Sequence, residues 1–226
     1  MRRVLIATPC YTGEVSIMFS MALLKTFMMA ARKNIDVQMV YTKHDALVQK
    51  SRNYFVALAL EQNFDDIVFI DDDIVWDPEW FFRLLDYPKD VVSGIYRKKI
   101  NEEAYPMLPV LHTDGTWYPP PVDTQSGLVK VAGVPTGFLR LSRKAMRALW
   151  DCSDPYSNGE LPTERLIFDV KIIDGVMYSE DFIMSKKLTS LGFDLWIDPR
   201  LTCVHEGKHM YTGDFMAWLD KHKTCN

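Results

Sequence analysis

The chain has 226 residues, of which 48% are hydrophobic and 25% are charged, and its formal net charge is −4. This composition is that of a globular protein with enough apolar material for one sizeable core. The densest basic segment, YRKK at 96–99, is too short for an electrostatic footprint, so nucleic acid is excluded as the expected partner.

The sequence also predicts where the protein works. No segment reaches about 18 uninterrupted apolar residues, so we expect no transmembrane segment. The apolar run of the opening MRRVLIATP ends at Thr8-Pro9, too early for a secretory signal. The four cysteines are far apart and form no C-x-x-C pair, which favours reduced thiols over a disulfide framework. We therefore expect a cytoplasmic protein.

Strands and helices alternate along the first hundred residues. Short apolar runs predict strands, and apolar residues at helical spacing predict helices. The predicted elements are a strand at 3–8, a helix at 14–32 with Thr12 as N-cap, a strand at 36–41, a helix at 46–62, a strand at 67–71, a helix at 78–86 opened by Pro78, and a strand at 90–96. This alternation predicts an α/β fold with a mostly parallel sheet and helices packed on it.

The second half of the chain is less regular. Residues 100–128 are rich in Pro, Gly, Asp and Thr and predict a loop that covers a site. The elements predicted after it are strands at 128–132 and 136–142, a helix from 143 capped by Ser142, a helix at 179–192 with Ser179 as N-cap, strands at 193–198 and 201–205, and a helix at 214–222. No domain boundary is visible, so we expect one domain over 1–226.

Three consecutive aspartates, Asp71 to Asp73, follow the buried-looking strand VFI. If the strand stays extended, Asp71 and Asp73 point to the same side. A solvated acidic loop is one interpretation. The other is a divalent cation site, which the position at the carboxyl end of a strand favours because ligands bind at that edge of an open α/β sheet.

The segment VFIDDDIVWDP resembles the D-x-D signature of GT-A-fold glycosyltransferases, with Asp71 and Asp73 in the two acidic positions. The resemblance implies a single Rossmann-like domain that transfers a sugar from a nucleotide-diphosphate donor, with UDP as the default nucleotide. Residues 1–99 would form the nucleotide-binding half and 100–226 the acceptor and catalytic half. The chain resembles compact viral or bacterial members, so the expected compartment is the cytoplasm, or the host cytoplasm for a viral chain.

Donor-binding residues are also implied by the resemblance. In LIATPCY, the backbone at Thr8 and Pro9 would contact base and ribose, and in ALVQKSRN the side chain of Arg52 would reach base or phosphate. In VVSGIYRKK, Arg97 and Lys98 would neutralise the diphosphate, which Arg binds bidentately. A plain strand-to-helix turn at 8–9 and a solvated helix-face arginine at 52 remain open.

The segment YSEDF at 178–182 resembles the Glu-Asp pair of inverting members, with Asp181 as general base and Glu180 as the second candidate. Acids in a first helical turn also favour the macrodipole without any catalytic reason. His205 resembles the late histidine that completes the cation shell beside Asp73. Asp71 is the other implied metal residue and would reach the ribose or a metal-bound water. A nitrogen ligand among oxygens favours Mn²⁺ over Mg²⁺.

Three further features allow more than one interpretation. His205 and His209 with Cys203 lack a partner pair at a usual zinc spacing. The glycines at 133 and 137 would allow close backbone approach to a sugar, or would serve turns that need positive φ. The aromatic residues at 117 and 118 would stack on the acceptor or belong to the core.

The sequence thus predicts a metal-dependent, inverting glycosyltransferase acting on a hydroxyl of a glycan or glycoconjugate. A retaining enzyme shares the fold and the D-x-D signature. A nucleotidyltransferase that makes nucleotide sugars shares the α/β layout, although TPCYTGE holds one glycine and no lysine where a phosphate loop is expected. A non-catalytic carbohydrate-binding module would need none of these acidic motifs.

Overall fold

A mixed eight-stranded sheet forms the centre of the computed structural model, which describes residues 1–110, 122–157, 163–207 and 209–222. The strands of this sheet are β1 Arg3–Cys10, β2 Asp36–Lys43, β3 Asp66–Ile70, β4 Ile74–Val75, β5 Val91–Tyr96, β6 Val129–Val131, β7 Phe138–Ser142 and β12 Leu195–His205. Two small two-stranded sheets pair β8 Pro155–Tyr156 with β9 Glu164–Arg165, and β10 Lys171–Ile173 with β11 Val176–Tyr178.

Six helices are present in the described ranges: α1 Ile17–Arg32, α2 Val48–Glu61, α3 Pro78–Asp86, α4 Arg143–Asp151, α5 Glu180–Ser190 and α6 Phe215–His222. Helix α3 shows how local sequence sets a boundary. The Asp77 side chain accepts the N–H of Glu79 at 2.9 Å as an N-cap, and Pro78 supplies the fixed φ of the first helical position. None of the helices in these ranges is long and apolar enough to cross a bilayer.

The strand order is β2-β1-β3-β7-β5-β12-β4, with β6 also paired to β12. Strands β1, β2 and β3 are parallel to one another, and β5 is parallel to β12. Between these two groups lies β7, which runs antiparallel to both β3 and β5, so both groups point the same way. Five strands therefore share one direction, and the predicted α/β class with a mostly parallel central sheet flanked by helices is confirmed.

The core has two layers, one on each face of the sheet. In β1, Val4 and Ile6 pack with α1 and α3, while Leu5 and Ala7 pack with α2, α4 and α5. This alternation follows from the two-residue period of a strand, and it explains why β1 and β3 are apolar at nearly every position.

Two boundary predictions are wrong. Helix α1 begins after Ser16, whose Oγ accepts the N–H of Phe19 at 3.0 Å, whereas Thr12 Oγ1 accepts the N–H of Glu14 in the preceding turn. The two strands predicted at 193–198 and 201–205 form the single strand β12. It continues past Pro199 through a register shift against β5, and strands accommodate proline at such irregularities.

Candidate functional site

The chain turns sharply after β3, and this turn carries the three aspartates. Ile74 N donates to the carbonyl of Asp71 at 3.0 Å, and Asp71 N donates to the carbonyl of Gly137 at 3.1 Å. The strand therefore does not stay extended through Asp73, because the backbone closes a turn at Asp71–Ile74. As a result the carboxylates of Asp71 and Asp73 have different partners.

Asp71 belongs to a charged cluster with Arg52 and Glu180. Arg52 Nη2 donates to Asp71 Oδ1 at 2.7 Å and Nη1 donates to Glu180 Oε1, and only 4% of the arginine side chain is exposed. Burial alone would lower the pKa of Arg52, but the charges of Asp71 and then Glu180 outweigh it and raise the pKa. The cluster ties α2 to the turn after β3 and to the start of α5.

Asp73 faces a second group of side chains. Its Oδ2 lies 2.5 Å from Lys99 Nζ and 3.4 Å from His205 Nε2. Burial opposes ionisation, yet the hydrogen bonds from His205 and Lys99 together lower the pKa of Asp73. The pairing of β4 with β12 places His205 beside Ile74, the residue that follows Asp73, and so brings His205 close to Asp73.

The His205 ring is oriented by the backbone. Its Nδ1 lies 2.8 Å from the carbonyl oxygen of Arg97, an atom that only accepts hydrogen bonds. Nδ1 therefore carries a proton, and Nε2 is the ring atom that faces Asp73. The Tyr96 ring packs edge-on against the imidazole at 5.0 Å and helps to fix its orientation.

The donor set fits a hard divalent cation held by few protein ligands. No cluster of three or more His, Cys, Asp or Glu residues able to hold a metal occurs in the described part of the chain. Asp73 and His205 nevertheless converge on one point, and Mg²⁺ or Mn²⁺ commonly takes one or two protein ligands and fills its shell with water and substrate phosphate oxygens. The predicted third ligand, Asp71, is occupied by Arg52.

A cavity of about 220 Å³ opens beside the three aspartates, at the carboxyl edge of the sheet. It lies where β1 and β3 end, the edge at which ligands bind in α/β sheets. Asp72 is one of its lining residues. Burial, and then the negative charges of Asp73 and Asp71, raise the pKa of Asp72, although a hydrogen bond with Cys10 opposes them. The lining residues are Pro9, Tyr11, Asp45, Ala46, Val48 and Asp71–Asp73.

The predicted catalytic pair lies at the start of α5. Glu180 is held by Arg52, while Asp181 Oδ1 accepts hydrogen bonds from Ser179 Oγ and, at 2.8 Å, from Phe182 N. Burial raises the pKa of Asp181, and the hydrogen bond from Ser179 opposes the shift only in part. Ser179 occupies the N-cap position as predicted, but its hydroxyl donates to Asp181 and does not cap the helix.

The remaining predicted donor-binding residues are Thr8, Pro9 and Arg97. Thr8 is fully buried, and its Oγ1 has no hydrogen-bond partner among the described residues. Pro9 lines the cavity. Arg97 donates through its Nη atoms to three backbone carbonyls, those of residues 100, 101 and 212, and so fixes two loops.

Close packing explains why positions 133 and 137 are glycines. A Cβ at Gly137 would lie 2.7 Å from the Tyr96 ring, and one at Gly133 would lie 2.9 Å from Phe182. Neither glycine has positive φ, so the interpretation as strained turns is wrong. The aromatic residues at 117 and 118 lie outside the described residues. The His209 ring lies edge-on to the Tyr211 ring, and the two ring centroids are 6.4 Å apart.

Sequence reasoning missed Lys99 and chose its neighbour Lys98. Residues 97–99 follow the end of β5 at Tyr96, so no strand period in the sequence singles out Lys99. Sequence reasoning also missed Tyr96, whose hydroxyl accepts the N–H of Gly137 at 3.2 Å. Through Gly137, this bond links the residue beside His205 to the turn at Asp71.

Solved structures similar to this chain include the following two. A glycosyltransferase involved in the glycosylation of the major capsid of PBCV-1 is 9% identical, with a TM-score of 0.35 over 65% of this chain and 63% of that one. S. aureus TarS, residues 1–349, is 14% identical, with a TM-score of 0.42 over 90% of this chain and 59% of that one. The chain thus spans less than two thirds of either structure.

No protein-family profile and no curated protein sequence matches the chain. The structural similarities are too distant to define a family or a function.

Proposed function

We propose that the chain is a glycosyltransferase that moves a sugar from a nucleotide-diphosphate donor to a hydroxyl of a glycan or glycoconjugate, with Mn²⁺ or Mg²⁺ and with inversion. The observation that carries this proposal is the convergence of His205 Nε2 and Lys99 Nζ on Asp73 Oδ2, next to a cavity at the carboxyl edge of the sheet. A cation-binding pair, a basic side chain and a cavity are the elements needed to hold a diphosphate.

Asp73 and His205 would hold the cation. When bound, the cation would supply charge stabilisation for the departing diphosphate. Lys99 would then turn from Asp73 to the phosphate oxygens, since its ammonium sits on a flexible stem and pairs with either anion. Arg52 neutralises Asp71 and so reduces the negative charge that the donor meets at the turn.

Asp181 is the better general base of the two candidates. Glu180 is engaged by Arg52, whereas both contacts that Asp181 makes to the described residues use Oδ1, which leaves Oδ2 for an acceptor hydroxyl. A carboxylate with a raised pKa is the stronger base, which the weakly acidic sugar hydroxyl requires.

The test is an incubation of the protein with Mn²⁺ and a panel of nucleotide sugars, with release of nucleoside diphosphate as the readout. Slow donor hydrolysis supports a transferase. Pyrophosphate-dependent release of a nucleoside triphosphate would instead identify a nucleotidyltransferase. The absence of any calorimetric heat with Mn²⁺ and every donor in the panel would overturn the proposal.

Two substitutions separate metal binding from base catalysis. We expect Asp73→Asn to abolish Mn²⁺-dependent donor binding and turnover. We expect Asp181→Asn to keep donor affinity while turnover falls by about 10²–10⁴, the usual loss for a general base. Asp194→Asn is the matched control, since Asp194 lies at the opposite edge of the sheet just before β12. Full turnover in Asp181→Asn would show that the base is elsewhere or that the enzyme retains configuration.

A further inference from the structure

One oxygen of the Asp73 carboxylate serves two contacts at once. Asp73 Oδ2 lies 2.5 Å from Lys99 Nζ and 3.4 Å from His205 Nε2. A divalent cation held by Asp73 and His205 would sit against the same oxygen, because that is where the two ligand atoms converge. The Lys99 ammonium and such a cation therefore compete for one carboxylate.

The Lys99 side chain is placed by packing but keeps access to water. A Cβ at Gly207 would lie 3.3 Å from Lys99 Cδ and 3.5 Å from Lys99 Cε, so the glycine leaves room for the lysine stem. The Lys99 side chain is 34% exposed. Because a lysine stem has four rotatable carbons, the ammonium can leave Asp73 for a nearby anion without a change in the backbone.

Lys99 is also the lysine that balances the charge of the turn. Asp71 has its own cation, Arg52, at 2.7 Å. Lys99 contacts Asp73 and interacts electrostatically with Asp72 as well. Loss of the Lys99 charge would therefore make this end of the cavity more negative and more attractive to a free cation.

This geometry treats a cation alone and a cation with a diphosphate differently. A cation alone must either displace the ammonium from Asp73, leaving it without an anion, or bind beside it against the repulsion of like charges. A cation that carries a diphosphate brings phosphate oxygens with which the displaced ammonium can pair. The diphosphate thus removes the penalty that the cation alone would meet.

We propose that Lys99 makes cation binding conditional on the diphosphate: it competes with the cation for Asp73 and transfers to the phosphate oxygens when both ligands bind together. The inference rests on the proposed function, since it uses the same cation pair and a diphosphate ligand. Because coupling between two ligands is reciprocal, the cation strengthens diphosphate binding by the same factor.

The test is isothermal titration calorimetry with two probes, Mn²⁺ alone and a preformed manganese–pyrophosphate complex, which carries a diphosphate without base or sugar. We expect Lys99→Met to bind Mn²⁺ alone at least about 5-fold more tightly than the parent, because the competing charge is gone. The same variant should bind manganese–pyrophosphate at least about 5-fold more weakly, because the ammonium–phosphate pair is lost. Opposite shifts in one variant are not expected from a merely structural lysine.

Two control variants separate this competition from a general effect of charge. Lys98→Met removes the same charge one residue earlier, and Asp73 has no contact with Lys98 among the described residues, so both affinities should stay within about 2-fold of the parent. Lys99→Arg keeps the positive charge, and its affinity for Mn²⁺ alone should stay within about 3-fold of the parent. Circular dichroism melts show whether each variant folds.

Several results would overturn the inference. These are unchanged or weaker binding of Mn²⁺ alone by Lys99→Met, an equal gain in Lys98→Met, or unchanged binding of manganese–pyrophosphate by Lys99→Met. Mn²⁺-dependent hydrolysis of a nucleotide sugar together with any of these results would refute the inference and leave the proposed function standing. Opposite shifts in Lys99→Met without binding of any nucleotide sugar would do the reverse, and binding of neither probe by any variant would refute both.

Discussion

Replacing Arg52 by methionine removes the cation from between two carboxylates, Asp71 and Glu180. The side chains are 4%, 23% and 16% exposed respectively, so water can replace the lost ion pairs only in part. Removing one partner of a buried pair costs about 3–5 kcal/mol. Because both carboxylates keep some solvent contact, we expect the lower end, about 3 kcal/mol, which corresponds to roughly 6–12 °C in Tm for a chain of this size.

The assay is urea unfolding at neutral pH, with Lys144→Met as control. Lys144 also pairs with a carboxylate, Asp90, at 3.2 Å, but its side chain is 74% exposed, so we expect a loss below about 1 kcal/mol. A triple variant that combines Arg52→Met with Asp71→Asn and Glu180→Gln should recover at least half of the loss, because no uncompensated charge remains. A loss below about 1 kcal/mol in Arg52→Met would refute the reasoning.

Three further changes test other contacts by urea unfolding. We expect Asp181→Asn to stabilise the fold at neutral pH. Burial raises the pKa of Asp181, so the folded state binds the proton more tightly than the unfolded state. The stability of the parent protein therefore falls as pH rises from the usual pKa of 3.8 through the raised pKa. The gain in the variant should vanish below pH 3.8, and an equal gain at all pH values would contradict this account. Gly137→Ala should cost about 1–3 kcal/mol, because its Cβ would lie 2.7 Å from Tyr96, and a neutral result would show that the ring moves freely. Thr26→Val should cost about 1–3 kcal/mol, because Trp76 Nε1 loses its acceptor at 3.1 Å inside the core, and Thr26→Ser should lose clearly less.

Local signals in the sequence predicted most of the fold. The strand predicted at 67–71 is Asp66–Ile70, and the helix predicted at 78–86 is Pro78–Asp86. A strand buried on both faces must be apolar throughout, and a helix start must satisfy free N–H groups, so both leave marks in a few consecutive residues. The sequence left the course of Asp71–Asp73 open, because the turn there is held by a hydrogen bond to Gly137, 66 positions further along.

The site was predicted less completely than the fold. The resemblance selected Asp71, Asp73 and His205, and the structure brings Asp73 and His205 together. The ion pair of Arg52 with Glu180 joins residues 128 positions apart, and no local pattern predicts which side chains meet over such a distance. The assignment of Arg52 to the donor phosphates remains a prediction, since its two Nη atoms contact carboxylates.

The position of β7 has a consequence for how the chain is made. Strands β3 and β5 are both complete by residue 96, yet the strand that lies between them begins only at Phe138. During synthesis, β3 and β5 therefore lack the strand that lies between them until more than forty further residues have been added. We expect synthesis of this protein to depend on chaperones that shield the edges of these two strands, and fragments ending near residue 99 to aggregate.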